Sequence, residues 1–188
     1  MDNAILLRKP PSAVRRSAWA ILAAILILTL TLGAASNAQA AAPAAAARLV
    51  IPALGLDAPI VHTPIVNRQW NVGMLGASMV GHLERTAWVG EGSNIVLAGH
   101  SEMAVNAYDG VFASLNRLSP GDEIRITQGG AAWQYVVSEV RTVSYRDVSI
   151  VFPTRHEQLT LFTCALGTYD RNLGKYRQRL VVVALPAP

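Results

Sequence analysis

Short runs of β-branched and other apolar residues, separated by glycine, proline and polar turn residues, dominate the chain from residue 48 onward. Residues 123–128 alternate polar and apolar side chains, and Gly129-Gly130 separates them from another such run, a pattern typical of a β-hairpin. The predicted strands are residues 48–52, 58–61, 94–98, 123–128, 133–143, 158–164 and 179–184. Six or seven short strands with few helices favour an all-β fold closed into a small barrel over a βαβ fold.

One helical segment is predicted among these strands, in residues 108–118. Four apolar side chains there would share one face of a helix: Val111, Phe112, Leu115 and Leu118. The sequence Pro-Gly-Asp at residues 120–122 would end that helix.

The first 47 residues differ from the rest in charge and hydropathy. Residues 1–16 hold four basic residues and one acidic residue, whereas the 31 residues 17–47 hold no charge. Basic residues before an apolar run stay in the cytoplasm, so we expect the rest of the chain to be exported. Residues 17–38 are long enough for a membrane anchor, while Ala38-Gln39-Ala40 fits the cleavage site of a signal peptide, and the leader alone leaves both open.

The predicted organisation is therefore a cytoplasmic basic tail in residues 1–16, a transmembrane signal anchor in 17–38, an alanine-rich linker in 39–47 and an extracytoplasmic domain in 48–188. That last domain carries 12 basic and 11 acidic residues. Because it is nearly neutral, nothing supports a nucleic-acid partner, and we predict none.

The chain contains a single cysteine, Cys164, which excludes an intramolecular disulfide and a multi-cysteine zinc site. The four histidines lack the spacing of metal ligands, and no glycine-rich phosphate loop is present. Residues 99–103, Gly-His-Ser-Glu-Met, lack the final glycine of a serine nucleophile elbow. We therefore predict no metal and no cofactor. A lone cysteine in an exported protein is either buried and inert or a reactive residue with a functional role.

Three polar residue types stand at predicted strand ends. Cys164 ends the strand 158–164, and His100 follows the strand 94–98 through Gly99. Two arginines, Arg177 and Arg179, stand at the start of the last strand. A thiol nucleophile needs a histidine for proton transfer and a donor for the developing oxyanion, so these residues form a coherent candidate site.

These segments resemble the sortases, the cysteine transpeptidases of bacterial cell surfaces. Residues 160–164, Thr-Leu-Phe-Thr-Cys, match the sortase pattern Thr-Leu-x-Thr-Cys. Residues 94–100 resemble the segment with the sortase histidine, and residues 179–184 resemble the terminal strand that begins with the sortase arginine. The resemblance covers residues 48–186 in order and favours the anchor over the cleaved signal peptide. It leaves the subclass open, with class D and class E among those that fit.

The resemblance implies a closed eight-stranded β-barrel with one or two short helices, preceded by an N-terminal transmembrane helix in the cell membrane. It implies that Cys164 attacks a Leu-Pro-x-Thr-Gly-type signal of surface proteins between Thr and Gly. His100 would be the general acid and base, and Arg179, with Arg177 as its competitor, would stabilise the oxyanion or position the peptide. An amine on a peptidoglycan precursor or a pilin would accept the acyl group. Residues 145–157 would set peptide specificity, and three residues are expected to contact the substrate: Thr163, Leu161 and Ala98. No acidic cluster corresponds to the calcium site of some sortases.

Two other functions remain open from the sequence. One is a hydrolytic thiol peptidase on the same barrel, which would transfer the acyl group to water. The other is a membrane-tethered β-barrel binding module in which Cys164 is inert.

Overall fold

Eight strands form a closed barrel in the computed structural model, which describes residues 46–103 and 108–188. The strands, numbered in chain order, are β1 (Arg48–Ile51), β2 (Leu56–Thr63), β3 (Val80–Leu83), β4 (Asn94–Ala98), β5 (Glu123–Gln128), β6 (Ala131–Ser144), β7 (Gln158–Cys164) and β8 (Gln178–Pro186). They are hydrogen-bonded in the order β1-β2-β3-β4-β7-β8-β6-β5, and β5 pairs with β1. Closure leaves the barrel no free edge. The predicted all-β, eight-stranded barrel is confirmed.

Two strand pairs, β2–β3 and β4–β7, are parallel, and the remaining neighbours are antiparallel. The predicted hairpin joins β5 to β6 through Gly129 and Gly130, whose φ angles are 59° and 87°. Both values lie in the left-handed region that glycine adopts without steric cost. Among the described residues, three two-stranded ribbons lie outside the barrel: Ile65–Val66 with Gln69–Trp70, Glu102–Met103 with Tyr108–Asp109, and Tyr169–Asp170 with Lys175–Tyr176.

Helical structure within the described residues consists of 3-10 turns: Pro52–Leu54, Val72–Met74, Leu115–Arg117 and Ser149–Val151. The helix predicted for residues 108–118 is therefore wrong. That segment pairs with the loop after β4 instead, because the Gly110 N–H donates to the Ser101 carbonyl (3.1 Å) and the Phe112 N–H to the His100 carbonyl (2.9 Å). The apolar periodicity reflects burial rather than helicity, since Phe112, Leu115 and Leu118 all lie in the core.

The barrel interior is filled by alternate side chains of each strand, as the two-residue period of a strand requires. From β7 and β8 these include Leu159, Leu161, Val182 and Ala184, all fully buried. β4 differs because it is buried on both faces. Its Val96 and Ala98 form an outer cluster against Val151 of the connection between β6 and β7. The continuous apolar run of β4 follows from this double burial.

The predicted tail 1–16 and anchor 17–38 lie outside the described residues, as do residues 39–45 of the linker. Within residues 46–103 and 108–188, no helix has the length and apolar character needed to cross a membrane. Ala47, the last residue of the predicted linker, lies against the barrel: it is buried, and its carbonyl accepts a hydrogen bond from the Ile60 N–H (2.8 Å).

Candidate active site

Cys164 and Arg179 are direct cross-strand partners. Cys164 is the last residue of β7, and the antiparallel register places Arg179, near the start of β8, opposite it. Directly opposite residues of an antiparallel pair project to the same face of a sheet, with Cβ atoms roughly 5 Å apart. The Arg179 guanidinium is held by its Nη1, which donates to the carbonyls of Tyr176 (3.3 Å) and Gln178 (3.2 Å). The fold therefore places a fixed cation beside the only thiol of the chain.

His100 lies at the same end of the barrel as Cys164. β4 runs parallel to β7 with Ala98 opposite Phe162, and the ladder continues as the Gly99 N–H donates to the Phe162 carbonyl (3.3 Å). His100 and Cys164 each follow that last pair by two residues. Parallel register thus carries both residues to one level of the structure.

Two glycines let residues 108–112 pack directly on the histidine loop. A Cβ at Gly99 would lie 2.6 Å from Cγ1 of Val111 and 2.7 Å from Cδ2 of Phe112. A Cβ at Gly110 would overlap the carbonyl group of His100. Only glycine fits at such close approaches, and they fix the backbone from which the His100 side chain projects.

Arg177, the other candidate arginine, is placed differently. It precedes β8, its side chain is exposed, and its Nη1 lies 3.9 Å from Oδ2 of Asp170. Its N–H donates to the Thr168 carbonyl (2.9 Å). Of the two arginines, Arg179 is the one paired with Cys164.

The Cys164 thiol is influenced by burial and by two opposite charges. Burial raises the pKa of Cys164, the Arg179 guanidinium lowers it, and the Glu102 carboxylate raises it. Glu102 accepts a hydrogen bond from the Tyr176 hydroxyl. Burial, followed by this bond, raises the pKa of Tyr176 to about 12, so the phenol stays protonated as the donor. Because the Tyr176 carbonyl also accepts from Arg179, one network joins the histidine loop to the arginine.

Sequence reasoning missed Glu102 and Tyr176. Glu102 stands two residues after His100, in the segment 99–103. In the sequence that segment was compared only with a serine nucleophile elbow, which it does not match. Nothing in the sequence pairs it with Tyr176, which lies 74 residues away.

We expect Glu102→Gln to make the Cys164 thiol more reactive toward alkylation at each pH below its pKa. Removing the negative charge lowers the pKa of Cys164, so a larger fraction is thiolate, the reactive form. The rate of iodoacetamide alkylation against pH measures this directly, since Cys164 is the only cysteine. Tyr176→Phe is the control, because it removes the hydrogen bond but keeps the charge. An unchanged or slower alkylation in Glu102→Gln would contradict the assigned influence of Glu102.

Of the three expected substrate contacts, only Thr163 borders a cavity beside Cys164. A cavity of about 140 Å³ is lined by both residues together with Ser101, Phe112, Thr142 and Leu180. The Thr163 hydroxyl is buried and has no hydrogen-bond partner among the described residues. Leu161 and Ala98 do not line this cavity and are buried, at 0% and 4% exposure, so their contact with the substrate stays a prediction.

The connection between β6 and β7, residues 145–157, is hydrogen-bonded to the rest of the domain through its residues 150–157. The buried Asn94 donates through Nδ2 to the carbonyls of Ile150 and Phe152, both at 3.0 Å. Glu157 accepts from the Tyr135 hydroxyl (2.7 Å) and from the Gly90 N–H (2.9 Å). Phe152 nevertheless stays 55% exposed, so the connection presents an apolar side chain from a fixed backbone.

No group of three or more histidine, cysteine, aspartate or glutamate side chains able to hold a metal ion converges within the described parts of the chain. The described residues of the site are a thiol, a cation opposite it, and a histidine loop at the same barrel end.

Comparison with known proteins gives three findings. The family model for the sortase domain matches residues 49–187. No curated protein matches the chain. Solved structures similar to the chain include a sortase D5 transpeptidase from Clostridium perfringens (25% identity, 77% of this chain and 79% of that chain, TM-score 0.58) and a lid mutant of sortase A from Corynebacterium diphtheriae (27%, 81% and 75%, 0.59). A further one is sortase C-1 from Actinomyces oris (26%, 76% and 73%, 0.60).

Proposed function

The chain belongs to the sortase family, and from this we propose that it cleaves a Leu-Pro-x-Thr-Gly-type sorting signal between Thr and Gly and transfers the acyl group to an amine. The acceptor would be an amine of a peptidoglycan precursor or a pilin. The observation that supports the proposal is the cross-strand pairing of Cys164 with Arg179. His100, which follows β4, lies at the same end of the barrel.

In the first step, the Cys164 thiolate attacks the threonine carbonyl carbon and a tetrahedral oxyanion forms. Its collapse breaks the Thr–Gly bond, and His100 gives a proton to the departing glycine amine, which leaves a thioester on Cys164. In the second step the acceptor amine attacks the thioester carbonyl, His100 takes its proton, and the thiolate departs. One side chain acts as acid and then as base, which is the ordinary logic of general acid–base catalysis.

Arg179 is proposed to donate to the oxyanion and to hold the peptide backbone. Its two contacts to backbone carbonyls use Nη1 alone, and a guanidinium has five N–H donors, so donors remain for substrate. Its favourable effect on the Cys164 thiolate serves the same chemistry, because it stabilises negative charge at the point of attack.

We also propose that residues 17–38 anchor the protein in the cell membrane with the barrel outside the cytoplasm. The uncharged run of 31 residues after a basic tail supports this location. Secretion after cleavage near Ala40 is the alternative, and the mass of the mature protein in membrane and culture fractions would distinguish the two.

Product analysis tests the proposed function. The protein is incubated with Leu-Pro-x-Thr-Gly and Leu-Ala-x-Thr-Gly peptides, with and without a glycine peptide as acceptor. We expect cleavage between Thr and Gly, and with acceptor present a ligated product that exceeds the hydrolysed one. Hydrolysed product alone would indicate a thiol peptidase. No cleavage, together with a Cys164 that resists thiol reagents in the folded protein, would indicate a binding module.

A further inference from the structure

A second cavity, distinct from the small one beside Cys164, lies where the start of the β6–β7 connection meets the β7–β8 connection. Its volume is about 590 Å³, and it is lined by residues that include Ser144, Tyr145, Arg146, Thr168, Arg177 and Gln178. This volume falls within the range of roughly 300–1,000 Å³ of ligand sites. Its lining includes Tyr145 and Arg146, the first residues of the connection expected to set peptide specificity, but none of the catalytic roles proposed above uses it.

Two cations lie against the ring of Tyr145, and a third, Arg177, lines the cavity. Arg146 donates through Nε to the Tyr145 hydroxyl (3.0 Å), and its guanidinium carbon lies 5.4 Å from the ring centroid. The Lys175 Nζ lies 5.5 Å from the same centroid, and Arg177 forms part of the cavity wall.

Asp170 balances this charge only in part. Its Oδ1 accepts from the N–H groups of Asn172 (2.9 Å) and Leu173 (3.1 Å), and its Oδ2 lies 3.9 Å from Arg177. The cavity wall is therefore cationic, and arginine forks match the paired oxygens of carboxylate and phosphate groups.

The cavity wall is fixed and adjoins the candidate nucleophile. The Tyr145 N–H donates to the Arg177 carbonyl (3.0 Å), and the Ala165 N–H donates to the Gln178 carbonyl (3.1 Å). Gln178, a lining residue, directly precedes Arg179 and accepts a hydrogen bond from its guanidinium. Along β8 the cavity therefore begins one residue from the Cys164–Arg179 pair, with the side chains of Gln178 and Arg179 on opposite faces of the strand.

We propose that this cavity binds an anionic group, a carboxylate or a phosphate, that is carried by the amine acceptor of the second step. This inference rests on the proposed function. The sorting signal proposed above requires no negative charge, so an anion recognised this close to the thioester belongs to the other substrate. Binding it would hold the acceptor amine near the thioester, an effect on the second step alone.

Matched acceptors test the proposal. One arm compares triglycine with triglycinamide, and the other compares phosphoethanolamine with ethanolamine, each pair differing in the anionic group. In at least one arm we expect the anionic acceptor to reach half-maximal transfer at about tenfold lower concentration, as a charged hydrogen bond would give. Arg177→Ala and Arg146→Ala should reduce that difference to about twofold without changing thioester formation. Arg171→Ala, an exposed arginine of the same connection outside the cavity wall, is the control and should retain it.

A direct binding measurement separates this inference from the proposed function. We expect inorganic pyrophosphate or citrate to raise the melting temperature of the wild type, because a ligand that binds only the folded state stabilises it. The double variant Arg146→Ala, Arg177→Ala should lose this rise, and Arg171→Ala should keep it. If no peptide is cleaved, the proposed function fails while this measurement still stands. Equal rises in wild type and double variant, no rise in the wild type, or no preference in either acceptor arm would overturn the cavity's role.

Discussion

Cys164→Ala is expected to abolish cleavage of the sorting-signal peptide, with a loss on the order of 10³-fold or more, as removal of a catalytic nucleophile does in other enzymes. The thioester cannot form without the sulfur, and neither His100 nor Arg179 offers a replacement nucleophile. The chain has no second cysteine to take over. Peptide cleavage followed by chromatography, with the acyl-enzyme detected by mass spectrometry, measures both the rate and the covalent intermediate.

Cys164→Ser is the matched variant for this experiment. Serine has nearly the shape of cysteine and carries a hydroxyl in place of the thiol. Because a serine hydroxyl is a much weaker nucleophile and leaving group, we expect Cys164→Ser to be nearly as inactive as Cys164→Ala. Cys164 is partly exposed at the end of β7, so both variants should fold, and their thermal melting should stay close to that of the wild type. Cleavage by Cys164→Ala at the wild-type rate would exclude the thiol mechanism.

The barrel could be read from the sequence because its strands are short, apolar and bounded by turn residues. The exception is β3, whose four residues Val-Gly-His-Leu form too short a run and contain a glycine. It is stabilised by neighbours distant in sequence, since β3 pairs in parallel with β2 and lies antiparallel to β4. The helix predicted for residues 108–118 was wrong because apolar periodicity shows only which residues are buried. The backbone conformation of this segment is set by its hydrogen bonds to the loop after β4.

The sequence named the candidate residues of the site, but their arrangement in space was harder to predict. Strand ends identified Cys164, His100 and Arg179, but the choice between two arginines depended on where β8 begins, which is a matter of long-range register. Alternation within a strand explains why Leu161 is buried. It lies on the same interior side as the buried Leu159 and Val182, so a motif residue two or three positions from a nucleophile need not face a substrate.

Arg179→Ala is expected to slow thioester formation by about 10²-fold to 10³-fold, the usual cost of removing one oxyanion donor. It should act in a second way as well. The guanidinium lowers the pKa of Cys164, so its removal raises that pKa and leaves less thiolate at neutral pH. Iodoacetamide alkylation of Cys164 should therefore be slower than in the wild type at each pH below the thiol pKa. Arg179→Lys keeps the charge without the planar fork, so we expect it to restore alkylation more fully than cleavage.

Arg177→Ala is the decisive comparison for this arginine. Arg177 precedes β8, is exposed, and lies near Asp170 rather than opposite Cys164. We expect its removal to leave both thioester formation and Cys164 alkylation close to wild type, because neither the attacked carbonyl nor the thiol depends on it. Single-turnover measurement without an amine acceptor isolates this step from any effect on the acceptor. A larger loss in Arg177→Ala than in Arg179→Ala would reverse the assignment, and cross-strand register would then be a poor guide to which cation serves the oxyanion.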